Sequence, residues 1–422
     1  MKLGLGLCGK VDWMRIFSSL SGYIMLLRDL LKKEIPRSWF IGIIVGGICG
    51  IAIVVILAWY SLGFSTAQCG LPPADIMVMK LGPDGNVQWQ TRIDSGEDDT
   101  SNALVLTPDG GCVLLGRNDY RTGLPATRLL RLNRSGGVVW DRFYPEYPGA
   151  FTGIFPDPVG GFLAGTMLPG KILVLDADGN VSGEIPFADY SYASYVAPAH
   201  NGGFFVLAEN LSGRNSTLMS LDPDGNERWR SDALPLIALR EQPLLSVSDG
   251  GCLIEGYADD VQKLNYFRFD SRGRVMWNAT LGKSWDNRPV LMAEVRPGTF
   301  EILYESARMS GTPPTNIMET FSVTFDDNGT VLRQRMPDIS PPIAKTSGQD
   351  YLAARFRVKD AGSSYGYGTP HLIVRMRDDG QFIWQTPVPS DWHSVIRIVP
   401  TSDGGAVVLG SAWQRQKILS CL

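Results

Sequence analysis

A nine-residue phrase, LDPDGNERW at Leu221–Trp229, recurs along this chain and leaves few folds open to it. It reads LGPDGNVQW at Leu81–Trp89, LNRSGGVVW at Leu132–Trp140 and LDADGNVSG at Leu175–Gly183. Further on it reads FDSRGRVMW at Phe269–Trp277, FDDNGTVLR at Phe325–Arg333 and MRDDGQFIW at Met376–Trp384. A large apolar residue opens every copy, Gly follows four residues later, and Trp closes five of the seven. Each copy reads as a strand end, a tight turn and a strand start. Starts lie 43 to 56 residues apart, the period of one supersecondary unit copied as a propeller blade.

A second phrase alternates with the first. It is LTPDGGCVLLG at Leu106–Gly116, FPDPVGGFLAG at Phe155–Gly165 and APAHNGGFFVLA at Ala197–Ala208. It returns as SVSDGGCLIEG at Ser246–Gly256 and VPTSDGGAVVLG at Val399–Gly410, with weaker copies at Val295–Tyr304 and Lys345–Ala354. Asp-Gly and Gly-Gly supply the positive φ of two-residue or bulged hairpin loops. Two hairpins per period make four strands per blade. The expected fold is all-β: a seven-bladed propeller of four-stranded blades, with eight blades as the alternative.

The half-blade count predicts how the ring closes. The chain opens on a Trp-type hairpin, Ile76–Ile93, and its last complete hairpin is of the Gly-Gly type, Ile396–Gly410. If Gly-Gly hairpins are inner strands, these two form one blade and leave no exposed edge between the termini. Lys417–Leu422, KILSCL, competes for the place of Ile76–Leu81; either the chain is truncated or its last strand pairs irregularly. This closure brings Cys69 and Cys421 near one seam, where a disulfide is an open alternative outside the cytoplasm.

Upstream of the repeats, Trp39–Leu62 is 24 residues without a charge, long enough to cross a hydrocarbon core of about 30 Å as a helix. Trp39, Trp59 and Tyr60 stand where interfacial aromatics belong. Lys32, Lys33 and Arg37 precede the run, and no Lys or Arg follows until Lys80. That bias predicts a cytoplasmic N-terminus and extracytoplasmic repeats. Before it, Trp13, Ile16, Phe17, Leu20, Ile24, Leu27 and Leu31 recur at helical spacing, an amphipathic helix over about Val11–Glu34 that Pro36 stops. A leader with the true start at Met14 or Met25, and a cleaved signal peptide, are the alternatives. The expected organisation is a cytoplasmic segment at 1–37, a transmembrane helix at 38–62, a linker at 63–74 and a propeller at 75–422. The lipid bilayer is thus one partner, through Trp39–Leu62.

Charge narrows the function. Residues 1–37 carry seven Lys/Arg against three Asp/Glu, which leaves 32 basic and 40 acidic residues beyond them, a net −8. An acidic repeat region speaks against nucleic acid, which selects basic faces. Charged residues are 19% of the chain, below the usual ~25% of soluble domains.

The phrase Leu218–Trp229, LMSLDPDGNERW, resembles the repeat of the pyrroloquinoline-quinone-type (quinoprotein-like) propeller superfamily, over about residues 75–422. The resemblance implies a propeller. It implies either a quinone-dependent dehydrogenase or a cofactor-free scaffold such as the outer-membrane assembly lipoprotein. The dehydrogenases carry adjacent cysteines over the quinone, and this sequence has no Cys-Cys pair. The scaffold branch is therefore expected, with no cofactor. The hairpin also loosely resembles the Asp-box of sialidases, with different Asp–Gly and Gly–Trp spacings.

Residues that suggest chemistry read more simply as structure. The histidines are His200, His371 and His393; His200 takes a turn position where other copies have Asp109, Asp249 and Asp403. No His-x-His or Cys-x-x-Cys spacing points to a metal. Gly362–Gly366, GSSYG, matches a nucleophile elbow but lacks its strand–turn–helix setting. Asp222-Pro-Asp224-Gly-Asn226 and Asp176-Ala-Asp178-Gly-Asn180 resemble fragments of calcium loops without the distal Glu, and Asp, Asn and Gly serve hairpin turns directly. Trp89, Trp140, Trp229, Trp277 and Trp384 are expected to pack between blades rather than to present sugar platforms. Cys112 and Cys252 are expected as buried small hydrophobes. Asn133, Asn180, Asn210, Asn215, Asn278 and Asn328 head glycosylation sequons.

No catalytic, cofactor or metal residue is assigned. The expected function is a membrane-anchored extracytoplasmic binding or scaffold module for a protein or cell-surface glycan. Its specificity would lie in the long connections Arg117–Ala126, Ala307–Asn316 and Lys359–Thr369. The rival is an enzyme, a quinone-dependent oxidoreductase or a glycan-active hydrolase.

Overall fold

The turns explain the blades. In the first phrase the N–H of Gly85 donates to the carbonyl of Gly82 at 3.0 Å, and the N–H of Gly82 to the carbonyl of Asn86 at 2.9 Å. This pair of bonds is a type I turn followed by a residue at positive φ, the bulged hairpin loop. The same pair recurs at twelve further hairpins among the described residues. Asp, Asn or Thr at the first turn position tightens it: Asp222 Oδ1 accepts the N–H groups of Asp224 at 3.0 Å and Asn226 at 2.8 Å.

The computed structural model describes residues 74–94, 99–117, 127–147, 151–157, 160–166, 170–186, 192–210, 215–235, 243–257, 264–281, 287–310, 315–335, 340–356 and 370–413. The amphipathic stretch, the uncharged run Trp39–Leu62, Cys69, Gly362–Gly366 and Lys417–Leu422 lie outside them.

The chain begins its strands with β1 (Ala74–Leu81) and β2 (Val87–Ile93). Blade 1 follows as β3 (Thr100–Leu106), β4 (Cys112–Arg117), β5 (Thr127–Leu132) and β6 (Val138–Tyr144). Blade 2 is β7 (Phe151–Pro156), β8 (Phe162–Thr166), β9 (Lys171–Leu175) and β10 (Val181–Pro186). Blade 3 is β11 (Tyr192–Pro198), β12 (Phe204–Asn210), β13 (Asn215–Leu221) and β14 (Glu227–Arg230). Blade 4 is β15 (Leu244–Ser246), β16 (Cys252–Tyr257), β17 (Leu264–Phe269) and β18 (Val275–Leu281). Blade 5 is β19 (Asn287–Arg296), β20 (Thr299–Ser310), β21 (Thr315–Asp326) and β22 (Val331–Arg335). Blade 6 is β23 (Ser340–Lys345), β24 (Tyr351–Phe356), β25 (Pro370–Met376) and β26 (Phe382–Pro387).

Blade 7 joins the two ends of the repeat region. Its strands run β2-β1-β28-β27, with β27 at Trp392–Pro400 and β28 at Ala406–Trp413. β1 pairs with β28 from Ala74↔Trp413 to Leu81↔Ala406 without a register shift. Seven four-stranded antiparallel sheets result. The expected closure holds, Gly-Gly hairpins are the inner strands, and the alternative of eight blades falls. The place for which Lys417–Leu422 competes is filled by β1.

The core is not one cluster but seven, one per seam between neighbouring blades. Met79 and Leu81 of blade 7 pack with Leu352 and Ile373 of blade 6. Ile76 and Val78, on the other face of the same strand, pack with Leu114 and Leu130 of blade 1. A blade strand alternates between its two neighbours, so β1 reads as a continuous apolar run with all eight residues buried.

Candidate functional site

An antiparallel meander sends alternate connections to opposite ends. The inner-to-second and third-to-outer turns of every blade therefore share one end of the ring, and they are uniform: twelve of the fourteen are five residues long. The connections at the other end run from four residues (311–314) to thirteen (357–369). The uniform end is occupied by blade-to-blade structure. The variable end is free to differ from blade to blade.

At the uniform end the closing Trp of one phrase lies on the turn of the next. Trp229 Nε1 donates to Ser271 O at 3.0 Å, Trp89 to Arg134 O at 2.8 Å, Trp140 to Ala177 O at 3.1 Å and Trp384 to Pro83 O at 2.9 Å. Trp277 sits in the same manner over Gly329. The Trp residues thus pack between blades, as their fixed place in the repeat predicts.

Arg and Lys add a second staple there, which the sequence reading missed. Lys80, Arg131, Arg268 and Arg375 each precede the apolar residue that opens a phrase. Lys80 pairs with Asp403 at 2.9 Å, Arg131 with Asp109 at 2.9 Å, Arg268 with Asp249 at 2.6 Å and Arg375 with Asp350 at 2.9 Å. Each joins the third strand to the inner turn of its own blade. Partial burial works against ionisation of Asp403, but hydrogen bonds from Thr401 and Lys80 overcome it and hold the carboxyl down at about 2. A carboxyl depressed in the fold stabilises the fold above its unfolded value and loses that contribution as pH falls through the folded one. The fold is therefore expected to lose this contribution between about pH 4 and pH 2. Asp403→Asn should remove that part of the acid sensitivity and lower stability at neutral pH by about 1 kcal/mol, since Asp403 is half exposed. Urea midpoints across this pH range check both.

The turn carboxylates of Asp176 and Asp222 are engaged by their own turns, the Asn180 and Asn226 side chains included. Among the described residues no group of three His, Cys, Asp or Glu could hold a metal. Cys112 and Cys252 are fully buried free thiols, and burial raises both, Cys112 to about 12. Asn133, Asn180 and Asn328 stand in outer turns, Asn278 on the exposed face of β18, and Asn210 and Asn215 flank 211–214.

Through the ring runs a channel of about 1130 Å³, walled by the inner strands β3, β7, β11, β15, β19, β23 and β27. Pro156, Pro198 and Pro400 end three of these strands beside the channel. An inner strand leaves one edge unpaired, and Pro, with no N–H to satisfy, suits and blunts such an edge. The wall is largely apolar, with Arg288, Arg397 and Lys345 as cations and the buried Glu255 and Glu305 as acids. His200 is exposed in the inner turn of blade 3 and lines the channel end.

Inner strands also bulge. The β3–β4, β7–β8, β11–β12, β19–β20, β23–β24 and β27–β28 ladders each slip near the variable end. The ladder of blade 7 slips twice, at His393 and at Ile396, and bulges re-aim side chains; His393 is the one nearer the variable end. His393 Nε2 lies 3.1 Å from Ser411 Oγ, its ring stacks on Trp413 at 3.9 Å, and the Ser411 and Ser394 hydroxyls share a hydrogen bond. His371 sits on β25, in blade 6. The only sequence signal for the Ser411 contact was that His393 stands at the head of an inner strand.

Of the expected long connections, Ala307–Asn316 is corrected. β20 and β21 stay paired through Ala307↔Met318 to Ser310↔Thr315, leaving only 311–314 between them. The unbroken ladder satisfies backbone groups that a loop would leave to water. Of Arg117–Ala126 only Arg117 is described, as the end of β4, and Lys359–Thr369 lies outside the described residues.

No family model matches the chain, and no curated protein matches it. Among solved structures it is similar to virginiamycin B lyase from Staphylococcus aureus, with 11% identity over 79% of this chain and 99% of that one, TM-score 0.46. It is similar to the Pan2 WD40 domain of Neurospora crassa, at 9% over 75% and 91%, TM-score 0.47. A putative 6-phosphogluconolactonase from Bacteroides fragilis gives 13% over 77% and 95%, TM-score 0.42. These likenesses concern general architecture and carry nothing about activity.

Proposed function

We propose that the chain is a membrane-anchored, extracytoplasmic binding or scaffold module that takes a protein or cell-surface glycan on the variable end of its propeller. The observation that carries this is the division of the ring: uniform five-residue turns at one end, connections of four to thirteen residues at the other. A rigid ring with variable loops on one face is how a fixed scaffold displays a specific surface. The Leu-x-x-Leu-Asp-x-x-Gly-x-x-x-Trp repeat supports the quinoprotein-like superfamily, and the lack of a Cys-Cys pair supports its scaffold branch. The charge asymmetry about Trp39–Leu62 supports the anchor and the outside placement.

Crosslinking on intact cells, followed by purification through the full chain, should recover a partner. Shortening 357–369 should abolish that recovery while the ring keeps its melting temperature. Unchanged recovery would move the binding surface elsewhere. Protease added to intact cells should digest residues beyond Leu62, and complete protection would overturn the orientation.

A second reading, a glycan-active hydrolase, draws on the Ser411–His393 contact at 3.1 Å, since a hydroxyl bonded to imidazole is the start of an activated nucleophile. Covalent labelling by a fluorophosphonate, lost in Ser411→Ala, would favour it over binding alone.

A further inference from the structure

The seam between blades 5 and 6 breaks the rule that the other six obey. Elsewhere an outer-strand side chain covers the Gly of the next outer turn. Trp does so at five seams, and Ile185 lies on Gly225 at the sixth. In blade 5 the closing Trp is replaced by Arg333, and a Cβ placed on Gly380 would meet nothing within 4 Å. The first four residues of β22 are all exposed, unlike those of any other outer strand. Among the described residues this seam also holds the fewest buried apolar side chains, six against fourteen between blades 6 and 7.

Charge takes their place. Glu301, on β20 and only 2% exposed, accepts from Tyr351 of β24 at 2.5 Å, Ser322 of β21 at 2.6 Å and Arg335 of β22 at 3.1 Å. It also bonds Lys345 of β23. Arg335 reaches Asp378, in the outer turn of blade 6, as does Arg333 at 2.6 Å. Two carboxylates therefore face three cations across one seam.

We infer that this seam is an acid-releasable latch: protonating Glu301 and Asp378 leaves Arg333, Arg335 and Lys345 facing one another unneutralised, and the ring opens between blades 5 and 6 before any other seam yields. Burial opposes ionisation of Glu301, but Lys345, Ser322 and Tyr351 outweigh it and hold its carboxyl below the usual range. Burial likewise opposes Asp378, and Arg333 and Arg335 outweigh it. Both acids are thus depressed in the fold, so the latch is complete above the ordinary carboxylate range and is lost as pH falls through and below it. Of the other six seams, five rest on Trp and one on Ile185, neither of which titrates.

Hydrogen exchange on the full chain, corrected for the pH dependence of the intrinsic rate, tests the latch. Between about pH 7 and pH 3, protection in β22 and β23 should fall about tenfold more than in β14 and β15 across the Trp229 seam. Glu301→Gln should show the low protection already at neutral pH. If that variant does not fold, raising salt to about 1 M at neutral pH should selectively weaken β22 and β23 in the parent protein, because ion pairs are screened and Trp packing is not. Loss shared equally by all blades, full protection in Glu301→Gln, or salt insensitivity of a folded parent would overturn the latch.

Discussion

Deleting Asp75–Asp94 is expected to unfold the entire ring rather than trim one blade. β1 is an interior strand, paired on one side with β28 over eight positions and on the other with β2. Its Ile76, Met77, Val78, Met79 and Leu81 are all at most 2% exposed, and they divide between the seams with blades 1 and 6. At roughly 1.5–3 kcal/mol per fully buried large side chain, losing these five removes on the order of 10 kcal/mol. A whole domain is stable by only about 5–15 kcal/mol. The deletion also bares the edge of β28, a template for pairing with another chain. Circular dichroism melting and size-exclusion chromatography of the full-length deletion variant should show no cooperative transition and an aggregated species. A monomer with the parent's melting temperature would mean that the ring closes without β1, and Lys417–Leu422 would be the first strand to examine.

The ring and its closure were legible because the repeat writes its turns in letters that have few other uses. A large apolar residue, then Gly four positions on, specifies a bulged turn, and counting the two kinds of turn specifies which strands meet. The inner-turn acids and the basic residue before four of the seven phrases were equally visible, as Asp249 and Arg268 or Asp403 and Lys80. They went unread because a single Arg or Asp is indistinguishable from a solvated surface charge until the turn brings them within 3 Å. The Glu301 cluster was further out of reach. Its members come from five strands and a turn between positions 301 and 378, and no local pattern announces it except the missing Trp at Arg333. No partner was legible, since the connections on which the proposed binding rests do not repeat.

The pairing of Trp and Gly across a seam makes a sharper claim than packing in general. Gly273 has φ of +80°, and a Cβ there would lie 2.6 Å from the indole of Trp229. Gly380 has φ of +90° with open space around it. Ala at either position meets the backbone penalty of the left-handed region, about 1–2 kcal/mol. Only Gly273→Ala must also displace an indole whose N–H is bonded to the turn, a loss of roughly 1–3 kcal/mol more. Gly273→Ala should therefore lower stability by about 3–4 kcal/mol, and Gly380→Ala by about 1–2 kcal/mol. The excess should vanish once the indole is gone: in the background of Trp229→Ala, Gly273→Ala should cost no more than Gly380→Ala. Residues in contact are non-additive, and a double-mutant cycle isolates the shared term. Urea midpoints of these variants decide it. Equal costs for the two glycines in the parent protein would mean that the Trp rests on the turn without depending on its Gly, and the recurrence of the two letters in one phrase would then need another cause.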